Sequence, residues 1–357
     1  MNTWQSNVRY VTPYVPGEQP DFTDMIKLNT NECPYPPSPK VAEAVAVFNE
    51  DSLRLYPDPN CRSLTEAIAK RYRVAPEQVF VGVGSDDVLA MAFMTYFNSY
   101  KPVLFPDITY SFYDVWAELY RIPYIRIPLM DDFTINEQDY LRENGGIVIA
   151  NPNAPTGEEL PLSKIEVILA ANPDSVVIVD EAYVDFGGTS ALPLLEKYDN
   201  LLVVQTFSKS RAMAGIRIGY AIGSAEMTGF LYNVRNSFNS YTMNRLTLTC
   251  GVAAVEDEEY FQEITGKIIK TREKAVERFK ALGFTVPDSK ANFLFVTHPD
   301  VSADELFTAL REEHIFVRHW NKERISEYLR VTIGTDEQMD VLFAFLEKYL
   351  KERTVSK

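Results

Sequence analysis

Residues 145–183, GGIVIANPNAPTGEELPLSKIEVILAANPDSVVIVDEAY, decide the fold. GGIVIAN (145–151) and SVVIVD (175–180) are short, nearly continuous β-branched runs, a pattern that suits strands buried on both faces. Between them LSKIEVILAA (162–171) spaces its apolar residues for a helix. Strand, helix and strand in this order make a parallel crossover unit.

The same alternation extends outward. Upstream, VFVGVG (79–84), PVLFP (102–106) and YIRIPL (124–129) read as strands, with helices predicted over 86–97 and 111–119. Earlier helices are expected from Pro39 to Phe48 and from Ser63 to Tyr72, the second with Ser63 and Glu66 in capping-box spacing. Downstream, LLVVQTF (201–207) and IRIGYAIG (216–223) are joined by too short a segment for a helical crossover, which predicts one antiparallel neighbour. After about residue 250 the texture changes. A long charged helix is predicted from Glu258 to Leu282, then strands NFLFVTH (292–298), IFVRHW (315–320) and YLRVTIG (328–334), with helices over 303–313 and 336–350. The expectation is an α/β chain: an N-terminal arm over 1–30, a large domain over 31–250 with a mostly parallel central sheet, and a small α+β domain over 251–357.

Composition narrows the function. The chain has 357 residues, 46% hydrophobic and 24% charged, the balance of a globular protein rather than a disordered or fibrous one. Its 35 Lys+Arg against 50 Asp+Glu leave a net charge of −15, which argues against nucleic acid as a partner. Cys33, Cys61 and Cys250 lack zinc-site spacing and suit a reducing compartment, so no metal is expected. The opening MNTWQSNVRY has no signal-peptide run, and no stretch approaches the ~18 apolar residues of a membrane span, so a cytoplasmic location is expected. Neither HExxH nor GxSxG occurs, and the three histidines all come late.

Chemistry is expected in four loops that follow apolar strands, because ligands of open α/β sheets collect at the strands' carboxyl ends. GVGSDD (82–87) offers backbone N–H groups to an anion, although taken alone it reads better as a plain βα turn capped by Ser85 or Asp86. It lacks the third glycine of a dinucleotide fingerprint. NPNAPTG (151–157) is a rigid polar loop. VDEAY (179–183) puts an acid at the edge of an apolar interior, where it needs a cationic or N–H partner. TFSKSRAMAGIRIG (206–219) holds Lys209 just past a buried strand, where a partly desolvated amine suits Schiff-base chemistry; Arg217, Thr206 and Ser208 can bind phosphate oxygens. Together the loops supply what pyridoxal phosphate requires: an imine-forming lysine, a carboxylate for the pyridine nitrogen, a stacking ring, a donor for the phenolic oxygen and an anion cup.

On these residues the chain resembles the fold-type I pyridoxal-phosphate aminotransferases of class II, and within them the histidinol-phosphate aminotransferase family. The segments that carry the likeness are KLNTNECPYPPSP (27–39), LYPDPN (55–60), GVGSDD (82–87), PDITYSFY (106–113), NPNAPTG (151–157), VDEAYVDF (179–186), TFSKSRAMAGIRIGY (206–220) and LRVTIGTDEQ (329–338). The resemblance implies that Lys209 carries the cofactor and later moves protons, that Asp180 pairs with the ring nitrogen and that Tyr183 meets the phenolic oxygen. It implies Tyr110 stacked on the ring and Ser85, Asp86, Thr206, Ser208 and Arg217 around the phosphate. It further implies a homodimer in which Tyr56 reaches the partner's cofactor phosphate, and Tyr14, Arg318 and Arg330 at the anionic end of the substrate. The implied substrates are histidinol phosphate and 2-oxoglutarate, with glutamate as co-product. Surface salt bridges for the two arginines, and simple packing for Tyr56, stay open on the residues alone. One position departs from the family: Ala154 stands where an asparagine usually meets the phenolic oxygen, so either Asn153 takes that role or Tyr183 acts alone. An aromatic or general aminotransferase, a threonine-phosphate decarboxylase of the same fold and a non-catalytic cofactor or phosphometabolite sensor remain alternatives.

Overall fold

The computed structural model describes residues 3–22 and 24–356. A two-residue strand, β1 (Ile26–Lys27), precedes the seven strands of the main sheet. These are β2 (Val79–Gly82), β3 (Val103–Pro106), β4 (Tyr124–Ile127), β5 (Gly146–Ala150), β6 (Val177–Asp180), β7 (Leu201–Thr206) and β8 (Gly219–Ile222). Their order is β2-β8-β7-β6-β5-β3-β4. Neighbours pair in parallel from β4 through β7, and β8 runs antiparallel to both β7 and β2, so the one reversed strand is the one the short connection demands. The carboxyl ends of β2, β3, β5, β6 and β7 consequently share one edge with the start of β8.

Alternation along each strand divides the core. Val148, Ala150, Ile178, Leu202 and Val204 belong to one buried cluster with α3 (Ser85–Tyr96), α4 (Phe112–Tyr120) and α6 (Ala225–Phe238). Ile147, Ile149, Val177, Val179, Leu201 and Val203 pack on the other face, with Ile165, Ile168 and Leu169 of α5 (Leu162–Ala171). A third cluster joins β2 and β8 to α2 (Arg62–Tyr72) and α7 (Arg245–Glu256), and α1 (Pro39–Ala46) lies on α7.

The long helix is α8 (Glu258–Ala281), followed by β9 (Phe293–Val296), α9 (Ala303–Glu312), β10 (Ile315–Phe316), β11 (Arg318–His319), β12 (Leu329–Thr332) and α10 (Asp336–Ser356). β11, β12 and β9 form an antiparallel sheet. Two local expectations are corrected. IFVRHW is not one strand: β10 pairs in parallel with β1, whereas β11 pairs with β12. Leu28 sits in the buried cluster of β9, β12 and α10, so the end of the arm is stitched to the C-terminal elements. The Ser63 capping box does not form either. Helix α2 begins at Arg62 after Cys61, and the Asp58 carboxylate accepts the N–H groups of Asn60 and Arg62 in its place.

Candidate active site

The strand ends open into a cavity of about 670 Å³. Lys209, Asp180, Tyr183, Ser85, Asp86, Tyr110, Thr206, Ser208, Arg217, Tyr14, Arg318 and Arg330 all line it. Four loops, the arm and β11–β12, separate in sequence, thus converge on one space. Its walls carry seven Lys/Arg against five Asp/Glu, the opposite balance to the whole chain. Such a pocket attracts anions that the rest of the surface repels.

Chain geometry builds the floor. Lys209 lies three residues past the end of β7, and its Nζ donates to the carbonyl of Thr30 at 3.0 Å. Asp180 ends β6 and is buried; its Oδ2 accepts from the hydroxyl of Tyr113 at 2.8 Å and its Oδ1 from the N–H of Ala182 at 3.2 Å. Burial pushes this carboxyl up to about 6, against the two hydrogen bonds, which act to lower it. Among the described residues no cation pairs with Asp180. Tyr110 donates to Asp86 at 2.7 Å.

An anion cup lies at the other end. Gly84 has φ +88 and caps α3, so the first N–H groups of that helix stand free beside Arg217. A Cβ at Gly84 would run into the Arg217 guanidinium, and one at Gly219 into the backbone N of Ser85. Arg217 Nη2 lies 3.4 Å from Asp86 Oδ2, and the hydroxyls of Thr206 and Ser208 are 3.0 Å apart at the same edge. Backbone donors, a guanidinium and two hydroxyls are a donor set for phosphate, and Asp180 supplies a buried anion for a cationic ring. The residues present therefore fit pyridoxal phosphate.

On the far wall Arg318 and Arg330 oppose each other across β11 and β12, each over the ring of Trp320 at 5.3 and 5.1 Å. Arg330 is half-buried and donates to the carbonyl of Asn29 at 2.8 Å, while its buried Nε has no partner among the described residues. Among the described residues neither guanidinium has a carboxylate within ion-pair distance. Surface ion pairs are thus not what these arginines make. Tyr14 stacks on Phe112 at 4.2 Å; burial pushes its phenol up, and both arginines pull it back.

Two sequence expectations need comment. Asn153 is buried but does not line the cavity. Its amide donates to the carbonyl of Ile108 and the hydroxyl of Thr156, and its Oδ1 accepts from Thr109, so the loop itself consumes the side chain. Asn153 is therefore corrected from a cofactor ligand to a residue that braces the loop, which carries cis bonds before Pro152 and Pro155. Tyr56 lies outside this cavity, exposed, its ring stacked on Tyr241 at 4.5 Å. Three residues escaped the sequence reading. Tyr113 and Asn31 sat within quoted segments without a role, and Trp320 follows Arg318 at the end of IFVRHW. Asn31 Nδ2 donates to the hydroxyl of Tyr183 at 3.0 Å.

Comparison with known proteins places this geometry. The model of the family "Aminotransferase class I and II" matches residues 23–346. Over 354 residues, 99% of each chain, the protein is 56% identical to the histidinol-phosphate aminotransferase of Lactococcus lactis subsp. cremoris (strain MG1363). It is 56% identical over 349 residues to that of Marinomonas sp. (strain MWYL1), covering 96% of this chain and 98% of the relative. The fold matches the histidinol-phosphate aminotransferase from Sinorhizobium meliloti in complex with pyridoxal-5'-phosphate, with a TM-score of 0.82 at 23% identity, over 91% of this chain and 90% of that one. The chain belongs to the class I and II aminotransferases and, within them, to the histidinol-phosphate aminotransferase family.

Proposed function

We propose that this aminotransferase moves the amino group of L-histidinol phosphate to 2-oxoglutarate, giving imidazole-acetol phosphate and glutamate. The observation that carries the proposal is the pairing, in one cavity, of a strand-tip lysine beside a buried acid with two carboxylate-free arginines on the facing wall. Pyridoxal 5'-phosphate, when bound, supplies the electron sink for the bond broken at the substrate Cα. Lys209 would hold the cofactor and, once released, take and return the substrate's α-proton. Asp180 would keep the ring nitrogen cationic; its own burial means that it gains most when such a cation arrives. Tyr183 would donate to the phenolic oxygen and Tyr110 would stack on the ring. The N–H groups of Ser85 and Asp86, with Thr206, Ser208 and Arg217, would hold the phosphate. Arg330 and Arg318, closed over by Tyr14, would take the anionic end of the substrate, which is the phosphate in one half-reaction and a carboxylate in the other.

The protein would act as a homodimer, and Tyr56 would enter the partner's phosphate cup. Its support is an exposed apolar rim of Leu53, Leu55, Tyr56, Phe238 and Tyr241, outside the chain's own cavity. Among the described residues no helix is long and apolar enough to cross a membrane. The arm over 1–30, the large domain over 31–250 and the small domain over 251–357 would divide the work between closing the site, binding cofactor and choosing substrate.

The test is a spectrum of the purified holoenzyme while histidinol phosphate is titrated in, with Lys209→Ala beside it. Loss of the visible chromophore band on adding donor is the expected result, and Lys209→Ala should lack the lysine-linked band. Turnover of phenylalanine far above histidinol phosphate would move the protein to the aromatic aminotransferases. Cofactor binding without any conversion would make it a sensor.

A further inference from the structure

Ala154 removes an amide from the place where the resemblance puts one, yet the space beside Tyr183 is not left polar and empty. Ala154 packs with Ala291, Phe293 and the Tyr183 ring in a small apolar cluster. The amide that does reach Tyr183 comes from 123 positions earlier in the chain, from Asn31 in the LNTNE segment. We infer that Asn31 is a positioning residue for the cofactor's phenolic oxygen, acting through Tyr183 in place of the side chain that position 154 lacks. The inference rests on the reading of the cavity as a pyridoxal-phosphate site.

The hydrogen bonds fix the direction of each proton. The Thr332 hydroxyl accepts the backbone N–H of Asn31 and donates to Asn31 Oδ1, both at 3.0 Å. The amide's oxygen end is thereby committed to Thr332, and Nδ2 is the end that faces Tyr183. Tyr183 has one proton. Because its oxygen already accepts from Asn31, that proton is free to point into the cavity. An O–H whose oxygen accepts a hydrogen bond is also the stronger donor. Asn31 itself is buried and held in place: its φ is +57, and Asn292 donates to its carbonyl at 3.0 Å. Thr332 ends β12 and Asn292 directly precedes β9, so the arm, the C-terminal sheet and Tyr183 meet at one side chain.

The chromophore that the cofactor forms with Lys209 reports on this directly. Donors to the phenolic oxygen draw charge from it and let the neighbouring nitrogen lose its proton at lower pH. Removing a donor raises the midpoint of the spectral titration. Besides Lys209 and Tyr183, the charged and titratable groups lining the same cavity are Glu32, Asp86, Asp107, Asp180, Glu323, Tyr14, Tyr110, Arg126, Arg217, Arg318, Lys322, Arg324 and Arg330, and the test substitutes none of these.

The experiment is a spectrophotometric pH titration of the holoenzyme, without substrate, in five proteins: wild type, Asn31→Gly, Tyr183→Phe, Asn31→Gly with Tyr183→Phe, and Asn31→Gly with Ala154→Asn. Asn31→Gly suits the positive φ and removes only the amide. Its midpoint should rise by roughly half a pH unit, from a cooperative gain of 10–30% on one charge-assisted bond. In a Tyr183→Phe background, Asn31→Gly should cause no further rise. Asn31→Gly with Ala154→Asn should fall back toward wild type, because an amide restored at 154 reaches the oxygen itself. An unshifted midpoint in Asn31→Gly overturns the inference, as does an equal shift with and without the Tyr183 hydroxyl. Should Asn31→Gly fail to accumulate, Thr332→Val frees the amide to rotate and is read by the same titration, with the same rise expected and no rise refuting. Failure of the wild type to take up the cofactor at all would overturn the underlying reading instead, and the two failures are separable by that control.

Discussion

Replacing Asp180 by asparagine should make the cofactor-free protein more stable while destroying its chemistry. The side chain is buried, its two hydrogen bonds come from neutral groups, and among the described residues it has no cationic partner. Its carboxyl rises from 3.8 to about 6. At roughly 1.4 kcal/mol per pH unit, holding that carboxylate ionised destabilises the folded chain by about 3 kcal/mol. The sign follows from linkage. A raised acid binds its proton more tightly when folded, so its contribution is fully present below the unfolded value and lost as pH climbs through the folded one. Asp180→Asn and wild type should therefore match near pH 4 and diverge by about 3 kcal/mol by pH 7, the variant being the more stable. For a chain of this size that is a rise in melting temperature of roughly 4 °C. The assay is unfolding of both cofactor-free proteins from pH 4 to 8 at one protein concentration. The comparison must be differential, because buried Glu181, pushed up to about 7, imposes a similar slope on both. Added cofactor should stabilise wild type and erase the gap, since a cationic ring supplies the missing partner. A constant difference across pH, or a variant less stable at pH 8 than at pH 4 relative to wild type, would refute the reasoning.

Tyr113→Phe removes one of the two donors that lower the Asp180 carboxyl, so the acidic limb of kcat/KM against pH should move up by roughly one unit. A limb that stays in place would make Tyr113 a packing residue only. Arg330→Lys keeps the charge but loses the planar fork over Trp320 and Phe293. Steady-state kinetics should show kcat/KM for the phosphorylated donor falling roughly 100-fold, mostly through KM, with the Lys209 chromophore unchanged.

What could be read from the chain was whatever depended on neighbours in sequence. Lys209, Asp180 and Arg217 announce themselves because each follows or begins an apolar run, and runs of that kind end at one edge of a parallel sheet. Tyr113 could not be read that way. It sits in a helix, three residues after Tyr110, and becomes a partner of Asp180 only because α4 packs across the tip of β6, 67 positions away. Asn31 is hidden for the same reason, at a separation of 152 from Tyr183. Asn153 misled in the opposite sense. A polar side chain in a rigid loop suits a ligand and the loop's own backbone equally, and here the carbonyl of Ile108 and the side chains of Thr109 and Thr156 claim all of it. The splitting of IFVRHW was invisible because β10 finds its partner in β1, across nearly the whole chain.

The pair Asp180-Glu181 shows why burial alone does not mark a functional acid. Both carboxyls are buried, and in both, burial outweighs the hydrogen bonds, pushing them up to about 6 and about 7. Successive side chains at a strand end point to opposite faces, so the two acids enter different surroundings. Glu181 accepts from the backbone of Ala191, the hydroxyl of Ser190 and the amide of Gln205, three donors that satisfy both of its oxygens. Asp180 accepts from two, and it borders the cavity, whereas Glu181 does not. Glu181 is closed by neutral donors; Asp180 is left short of a counter-charge on the side that faces the cavity. On the proposed reading, that asymmetry would make the site bind a cationic ring strongly: the desolvation that destabilises the protein without cofactor would be relieved when the ring arrives. Stability and function are opposed at one residue, and the choice between two adjacent acids is made by the elements that pack over them, α4 on one side and the Ser190–Ala191 turn on the other.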